Sequence, residues 1–406
     1  MPVASRRTTR VFPVFPVPVV LSALFAGSFA MGCAEMLVVG LIDVMSVDLA
    51  VTVPAAGALV TANALGLAIG GPLLAFATTR FDRRPVLLVA TAVFTLLTML
   101  AVLGVGYEAL VVARAVAGAV QGLFIAAAMV TATSVVAPDR AGRAMSVVIT
   151  GFASASAFGL PLGTLLGQAV GWRGAFGAVA LVGLLVFVAC LVVLPSVPTA
   201  AGAGAVGQAR SAFAPRVLAV LAVAVLVFTS MQSAITYLVP FLDEIVAVSG
   251  AGVSVFLLAY GIATTIGSIA GGRFADANAR LTLVVGAAGV GVALLVMLAF
   301  GSNAVVTLCC VLGIGLFGMA TGPSLQHRVV RLAGAGAPLA SSLPASAVNV
   351  GIAAGAFAGG AALHSGGPEA SVLTGVVVAV VAVAAAAATG ALKPAAVAAA
   401  EPAATR

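Results

Sequence analysis

Charged residues are scarce in this chain. Asp, Glu, Lys and Arg make up 7% of its 406 residues, whereas they make up about 25% of a soluble domain. Hydrophobic residues make up 63%, and the mean hydropathy is +1.27. This composition excludes a soluble globular domain and predicts an integral membrane protein.

The residue patterns that carry enzyme chemistry are also lacking. The sequence contains no phosphate-binding loop, no cluster of metal ligands and no nucleophile with a base near it. Its two histidines, His327 and His364, belong to no metal or catalytic motif. Its four cysteines lie in apolar runs without the spacing of a zinc site, and we interpret them as small hydrophobic residues. They are Cys33, Cys190, Cys309 and Cys310. We therefore expect neither an enzyme nor a resident metal or cofactor.

Apolar runs of about 20 residues recur along the whole chain. Each is long enough to cross a bilayer core of roughly 30 Å at about 1.5 Å per residue. Each must close its backbone hydrogen bonds internally, and a helix does so. The twelve runs lie near 18–43, 54–78, 85–105, 108–136, 144–169, 174–194, 217–241, 251–272, 281–300, 304–326, 338–363 and 369–391. The pattern predicts an all-α membrane protein with twelve transmembrane helices.

A stretch rich in glycine and alanine separates the sixth run from the seventh. It lacks apolar periodicity, which is typical of a linker. The predicted organisation is an N-terminal cytoplasmic segment at 1–16, a six-helix bundle at 17–194, a cytoplasmic linker at 195–216, a second six-helix bundle at 217–392 and a disordered cytoplasmic tail at 393–406.

The basic residues are distributed unequally between the two sides of the membrane. Sixteen of the eighteen Lys and Arg residues fall on the side that holds the N-terminus, which we call the inner side. This is the positive-inside pattern, so we predict that both termini are cytoplasmic. The excess of Ala, Gly and Val is typical of a high-GC bacterium, so we expect the bacterial plasma membrane. Since topology accounts for the net charge of +7, we expect no nucleic-acid partner.

Two ionisable residues lie deep inside the apolar runs. Glu35 is about eight residues from the outer end of the first run, and Arg114 is about six residues from the outer end of the fourth. A charged side chain at the bilayer centre costs at least about 2.5 kcal/mol. At similar depth the two groups either satisfy each other or share a water-filled cavity; alternatively, Arg114 extends outward to the interface. Asp43 lies about 12 Å above Glu35, where it is either interfacial or a proton relay. We take Glu35, Arg114 and Asp43 as candidates for proton coupling.

The loop between the second and third runs resembles the signature loop of the major facilitator superfamily, Gly-x-x-x-Asp-Arg-x-Gly-Arg-Arg. Arg80, Arg83 and Arg84 match its basic positions. The chain departs from the pattern at three positions, which are Ala75, Thr79 and Asp82. The usual aspartate is therefore missing. In relatives it belongs to the cytoplasmic charge lock, the ion pairs that join the helix ends at this loop, and Asp82 and Asp139 are the candidates for its role.

The loop between the eighth and ninth runs contains a second copy of this motif. Gly272, Asp276 and Arg280 match its glycine, aspartate and arginine. Aligning Arg280 with Arg83 gives an offset of about 200 residues, which indicates two similar halves of six helices. Many secondary transporters are built in this way, with the site between the halves.

Two further motifs resemble the drug:proton antiporter branch of that superfamily. Arg114, Gly118 and Gln121 match the fourth-helix motif that is associated with proton transfer in relatives. The fifth run resembles the Gly-x-Pro-x-Gly-Thr motif of chloramphenicol-resistance and arabinose-efflux transporters, through Gly159, Pro161 and Gly163. These three residues serve either tight helix packing alone or the rocking of the halves as well.

The resemblance implies a proton-coupled carrier that exports small, amphipathic, drug-like molecules, with phenicol-type antibiotics among the candidates. Relatives carry Gly-Thr-x-Glu-Phe in the first helix, whereas this chain has cysteine and methionine beside the glutamate. We expect the substrate cavity to be lined by Met31, Cys33, Met36, Gln121, Gln232, Tyr237, Tyr260 and Asn349. The alternative for these polar side chains is that they tie helices together.

Two other functions fit the same sequence. In the first, a transporter of the same fold exports sugars or an endogenous metabolite. In the second, the chain is a membrane sensor or scaffold that transports nothing. For the transporter, the expected partners are a small-molecule substrate, protons and the lipid bilayer, the expected energy source is the proton gradient, and we expect a monomer.

Overall fold

The computed structural model describes residues 16–137, 140–197, 213–334, 340 and 343–392. Three of the predicted segments therefore lie largely outside the described residues. These are the N-terminal segment up to residue 15, the linker from 198 to 212 and the whole tail from 393.

The described chain is helical almost throughout. The first half contains α1 (Val17–Gly40), α2 (Ile42–Asp48), α3 (Val53–Leu65), α4 (Gly71–Ala77), α5 (Arg83–Val102), α6 (Tyr107–Ser134), α7 (Ala141–Ser154) and α8 (Leu160–Val193). Two short π-helical segments join consecutive helices, Gly66–Gly70 between α3 and α4 and Ala155–Gly159 between α7 and α8. The second half contains α9 (Pro215–Ile235), α10 (Leu238–Glu244), α11 (Ala251–Phe300), α12 (Ala304–Ala333), α13 (Leu343–Ala388) and a 3₁₀ turn at Thr389–Ala391.

Nine helical segments of the described chain are long and apolar enough to cross a membrane. Three of them span 49 to 51 residues, far more than one crossing requires. Each of the three is interrupted by non-helical backbone, at Gly171, at Asn278 and at Gly366–Gly367. Gly171 (φ 80°) and Gly367 (φ 74°) adopt the left-handed conformation that glycine tolerates best. Each interruption separates two crossings, so the prediction of twelve transmembrane helices is confirmed.

Most helix ends lie within a few residues of their predicted positions, and the tenth span differs most. It was expected to end near residue 326, but α12 continues to Ala333 in spite of Pro323 within it. The last turns of α12 contain Arg328 and Arg331, whose positive charges are favourable near the negative end of the helix dipole. Two arginines expected in the inner loop therefore belong to a helix.

Close contacts between backbones repeat in the two halves. A Cβ at Gly66 would overlap the carbonyl oxygen of Ala115, and a Cβ at Gly267 would overlap that of Leu316. Both partners of the second contact are 201 positions after those of the first. Small residues let helices approach each other in this way, which strengthens packing where the hydrophobic effect is absent.

A second pair of contacts gives the same result for the first and fifth spans. A Cβ at Gly151 would lie 2.5 Å from the carbonyl oxygen of Phe25, and a Cβ at Gly351 would lie 2.6 Å from that of Val225. In this pair of contacts, each residue of the second half comes 200 positions after its counterpart in the first half. The internal repeat predicted from the loop motifs therefore extends to the helix packing.

Each half has its own large core, and two smaller clusters join Ala356 and Tyr237 of the second half to buried residues of the first. Two lines of helix contact also join the halves. The buried residues of the first core lie between 20 and 194, and those of the second lie between 217 and 386 with Leu160 added from the first half. On one line the Thr61 hydroxyl of α3 donates to the Ala353 carbonyl of α13 at 3.4 Å. On the other, Gly261 of α11 fits against the Ser156 carbonyl in the π-helical segment before α8. Movement of the halves must therefore alter these two contacts.

The close approach at Gly66 gives a first prediction. Gly66→Ala places a methyl group against backbone atoms that no side-chain rotation moves away, and overpacking of this kind costs about 1–3 kcal/mol. We expect a lower thermal midpoint for the purified protein in detergent. Gly322→Ala is the matched control, because a Cβ there meets no atom within 4 Å and alanine favours a helix over glycine. Equal midpoints for the two variants would contradict this account of the packing.

Candidate functional site

Glu35 of α1 lies inside the first half, facing α6. Its side chain is 5% exposed, and the Gln121 amide Nε2 donates a hydrogen bond of 2.7 Å to its Oε2. Gln121 is itself 1% exposed. A hydrogen bond to an ionised group is roughly twice as strong as one between neutral groups. The carboxylate predicted from the sequence is therefore buried, and its partner is an amide.

Arg114 lies beside this pair but does not form an ion pair with Glu35 within 4.0 Å. It is 5% exposed, and its Nη1 donates to the carbonyl oxygen of Ala34 at 3.0 Å. Its Nε and Nη2 are buried without a hydrogen-bond partner. Arg114 therefore does not extend to the outer interface. The direct Glu35–Arg114 contact was one of the expected alternatives; instead the guanidinium holds the backbone immediately before Glu35.

The spacing in α6 explains why Arg114 and Gln121 reach the same part of α1. Seven residues make about two helical turns, so the two side chains lie on one face of the helix. Gly118, between them, packs against the Asn63 carbonyl of the second span. The sequence assigned Gln121 to the substrate cavity, whereas in the structure it is the hydrogen-bond partner of Glu35.

The fifth-span glycines contact α1 rather than lipid. Gly159 fits against the Cys33 sulfur and Gly163 against the Leu37 side chain, and Pro161 is buried between them. These residues hold α1, and with it Glu35, against α7 and α8.

The other expected cavity residues lie at several places. Met31 is buried in the first core, whereas Met36 packs against the second core. Gln232 is 5% exposed and packs close to Gly355. These contacts alone do not distinguish cavity lining from helix packing.

Three polar side chains of the second half bind partners in that half, and the Tyr237 hydroxyl also lies against Gly57 of the first half. The Tyr237 hydroxyl donates to the Ala356 carbonyl at 2.7 Å, and the Asn349 amide donates to the Ala345 carbonyl at 2.9 Å. The Tyr260 hydroxyl contacts the Met231 sulfur at 3.9 Å. Tyr237 thus ties α13 to the segment between α9 and α10, which corresponds to the helix-tying alternative.

Asp43 is separate from the Glu35 cluster. It lies in α2 at the outer end of the first half, where Asp243 and Glu244 of α10 are near enough to repel it. Carboxylates of both halves therefore lie near one another at the outer side.

The motif loops at the inner side do not have equivalent contacts. In the first, Asp82 caps α5 by accepting from the Arg84 backbone N–H at 2.8 Å. It also accepts from the Ser196 hydroxyl and, at 3.3 Å, from the Val197 N–H. Among the described residues, Asp82 thus binds the end of the sixth span in its own half. Asp139, the other candidate for the charge lock, lies outside the described residues.

Two basic residues of that loop also bind backbone groups of the first half. Arg83 donates to the Thr78 carbonyl at 3.2 Å and Arg84 to the Leu191 carbonyl at 2.7 Å, while Arg80 is exposed. In the second loop, a Cβ at Gly272 would meet nothing within 4 Å. Asp276 and Arg280 line a pocket at the turn within α11.

A contact between the end of α2 and the start of the sixth span was not predicted from the sequence. The Trp172 indole N–H donates to the Asp48 carboxylate at 2.7 Å, and Arg173 forms an ion pair with the same oxygen. The Arg173 guanidinium lies 4.5 Å from the centre of the Trp172 ring. We call Asp48, Trp172 and Arg173 the outer clamp. The sequence offered one signal for this contact, because Asp48 and Arg173 carry opposite charges and both were expected on the outer side.

The outer clamp determines the ionisation of its carboxylate. The Trp172 hydrogen bond lowers the pKa of Asp48, loss of solvation opposes this change, and Arg173 adds to the lowering. A carboxyl with a lowered pKa in the folded state stabilises that state above its unfolded pKa of about 3.9. This contribution is lost as the pH falls through the lower, folded value.

Asp48→Asn is therefore expected to lower the thermal midpoint at pH 7. The difference from the wild type should shrink once the pH falls below about 4, which thermal unfolding at a series of pH values measures. Glu108→Gln removes another exposed carboxylate at the outer side and should change the midpoint less. A difference between wild type and Asp48→Asn that stays constant with pH would contradict the role of the ionised carboxylate.

Comparison with known proteins agrees with this architecture. The sequence profile of the Major Facilitator Superfamily matches residues 24–338. The inner membrane transport protein YdhP of Escherichia coli (strain K12) is 33% identical over 356 residues, which cover 85% of this chain and 89% of that protein. A chloramphenicol resistance protein of Streptomyces lividans is 34% identical over 348 residues, which cover 84% of this chain and 88% of that protein.

A solved structure shows the same fold. The inward-facing, unoccupied crystal structure of a bacterial homolog of the human lysosomal transporter Spinster matches with a TM-score of 0.73 at 14% identity. The match covers 92% of this chain and 96% of that one. With its twelve helices, its repeated halves and these relatives, the chain belongs to the Major Facilitator Superfamily and is a multi-pass membrane transporter.

Proposed function

We propose that this transporter exports small amphipathic molecules from a bacterial cell in exchange for protons, and that Glu35 carries the proton. The observation that supports this most directly is the burial of Glu35 with Gln121 as its hydrogen-bond partner. An ionisable side chain inside a transmembrane helix is costly, and such residues are commonly functional.

Proton binding changes the hydrogen bonding of this cluster. The ionised carboxylate accepts the Gln121 N–H and attracts the neighbouring Arg114. A protonated carboxyl keeps one acceptor oxygen but gains an O–H that needs an acceptor of its own. The attraction to Arg114 is lost at the same time. Each protonation state therefore favours a different arrangement of α1 relative to α6.

The packing of α1 provides a route from this change to the rest of the molecule. Gly159 and Gly163 hold α1 against the fifth span. The same span contacts Gly261 of the second half through the Ser156 carbonyl. A shift of α1 therefore acts on a contact line between the halves. Alternating access, in which the halves rock about a central site, uses such a movement.

The direction of transport and the substrate class are inferred from the sequence and from relatives. The positive-inside distribution of charge supports cytoplasmic termini, and with this orientation an antiporter moves protons inward as it exports its substrate. The Streptomyces lividans relative is named for chloramphenicol resistance, which favours phenicol-type molecules among the substrates. Met36, which follows Glu35 in α1, is only partly buried, and its flexible side chain suits apolar ligands of varied shape.

Glu35→Gln removes the ionisable proton and keeps a side chain of the same shape. We expect it to abolish proton-driven efflux while the protein still inserts and keeps a normal thermal midpoint. In inside-out vesicles, proton release on addition of chloramphenicol should fall to the level of vesicles without the protein. Normal proton release by this variant would show that Glu35 is not the coupling group.

Asp43→Asn tests whether a carboxylate at the outer side takes part in proton coupling. Asp43 does not belong to the Glu35 cluster, so this variant should retain proton release in the same vesicles. Loss of proton release in Asp43→Asn, with Glu35 intact, would instead make Asp43 a relay.

Growth of an efflux-deficient host tests the substrate class. Expression of the chain should raise the phenicol concentration that the host tolerates, and a protonophore or Glu35→Gln should remove this effect. The panel should include other antibiotics and sugars. Protection against no drug, together with export of a labelled sugar, would favour the sugar-exporter alternative.

A further inference from the structure

A polar pocket lies at the inner end of the second half, away from the Glu35 cluster. It has a volume of about 290 Å³ and opens at the turn within α11, next to the last turns of α12 and the 3₁₀ turn at Thr389–Ala391. Its ionisable lining residues are Asp276, Arg280, His327, Arg328 and Arg331. Since a water molecule occupies about 30 Å³ of liquid, the pocket has room for a group much larger than water.

The charge in this pocket is not balanced. Three guanidiniums share it with one carboxylate, and Arg280 is near enough to Arg328 to repel it. No carboxylate of the described chain forms an ion pair within 4.0 Å with any of the three arginines. An anion in the pocket would relieve this repulsion.

Arg328 is buried here with part of its hydrogen-bonding capacity unused. Its side chain is 9% exposed, and Nη2 donates to the Thr389 carbonyl at 2.5 Å. Nη1 is buried and has no hydrogen-bond partner. A buried donor on a charged group without an acceptor is costly, and an anion bound beside Arg328 would supply an acceptor.

Gly390 determines the position of the second guanidinium. A Cβ at this residue would overlap the Nε and Cζ atoms of Arg280. The missing side chain therefore lets Arg280 lie directly on the 3₁₀ turn, on the same turn that holds Arg328 through Thr389. One short element thus contacts two guanidiniums, and it accepts a hydrogen bond from that of Arg328.

The surface around the pocket makes an anionic lipid one candidate source of the anion. Phe274 and Leu281 flank the α11 turn and are 64% and 57% exposed, so apolar surface adjoins the arginines. Surfaces that combine exposed apolar residues with basic residues at the inner side suit anionic lipids, whose phosphates lie at this level.

We propose that this pocket binds a phosphate group, through Arg280, Arg328 and Arg331. Guanidinium forks bind phosphate oxygens with paired, charge-assisted hydrogen bonds. The phosphate belongs either to the headgroup of an anionic phospholipid or to a soluble phosphate compound, and one experiment separates these sources.

The test uses the full-length protein purified in detergent. Native mass spectrometry measures binding of phosphatidylglycerol, with phosphatidylcholine as the zwitterionic comparison, and thermal unfolding measures the effect of millimolar inorganic phosphate without added lipid. For a lipid site, phosphatidylglycerol binds in preference to phosphatidylcholine and inorganic phosphate leaves the midpoint unchanged. For a soluble phosphate, inorganic phosphate raises the midpoint.

Whichever probe binds, substitutions of the lining residues test whether it binds in this pocket. Arg280→Gln and Arg331→Gln change exposed side chains and should weaken binding of the effective probe by about tenfold, equivalent to about 1.4 kcal/mol. Gly390→Val keeps every charge but displaces Arg280, and it should weaken binding similarly. Arg273→Gln is the matched control, because Arg273 is an exposed arginine near the same turn that does not line the pocket.

Two results would overturn the proposal. One is the absence of both a preference for phosphatidylglycerol and an effect of inorganic phosphate in the wild type. The other is an equal loss of binding in Arg273→Gln and Arg280→Gln, which would show that only the general positive charge of the inner side matters.

Discussion

The hydrocarbon core of a bilayer offers no hydrogen-bond partner, so every polar group placed there depends on another part of the chain. The Glu35 cluster follows from this constraint. The carboxylate accepts from Gln121, and Arg114 donates to the backbone beside Glu35. The cluster is nevertheless incompletely satisfied, because two guanidinium nitrogens of Arg114 have no partner. An unpaired buried donor is costly, so a rearrangement that gives Arg114 an acceptor would be favourable, and the proposed proton exchange at Glu35 requires such a rearrangement.

Close backbone contacts position this cluster. Lipid surrounds the helices with a medium as apolar as their own side chains, so helix association depends on packing and hydrogen bonds. Glycines at the contacts between the first and fifth spans and between the second and fourth spans let the backbones meet. The helices that carry Glu35 and Arg114 are thus each held by a separate row of small residues. The polar cluster depends on these rows for its geometry.

The two halves share their packing but not their chemistry. Contacts repeat at offsets of 200 for the first and fifth spans and 201 for the second and fourth. By these offsets the position of Glu35 corresponds to Ile235, and that of Arg114 corresponds to Gly315. The second half thus keeps the scaffold without the buried charges, while its own unbalanced arginines lie at the inner end. The charged groups are divided by location, with the coupling candidates in one half and the phosphate pocket in the other.

Composition and periodicity were sufficient for much of the architecture. The twelve spans, the repeat near 200 residues and the two buried charges are all readable from the chain, because a helix in lipid must be long, apolar and internally hydrogen-bonded. Helix ends were less certain, as the extension of α12 to Ala333 shows. There, Arg328 and Arg331 were assigned to the inner loop, but the helix dipole together with tertiary packing allowed a helix.

The partners of each polar group were decided by the tertiary structure. Counting residues gave the depth of Glu35 and Arg114, but it did not give the rotation of each helix about its axis or the reach of each side chain. Gln121 therefore replaced Arg114 as the partner of Glu35. For the same reason the outer clamp, which joins residues 124 positions apart, was not predicted. The sequence by itself determined which groups lie in the membrane and at what depth, and the packing of helices against one another decided which of them meet.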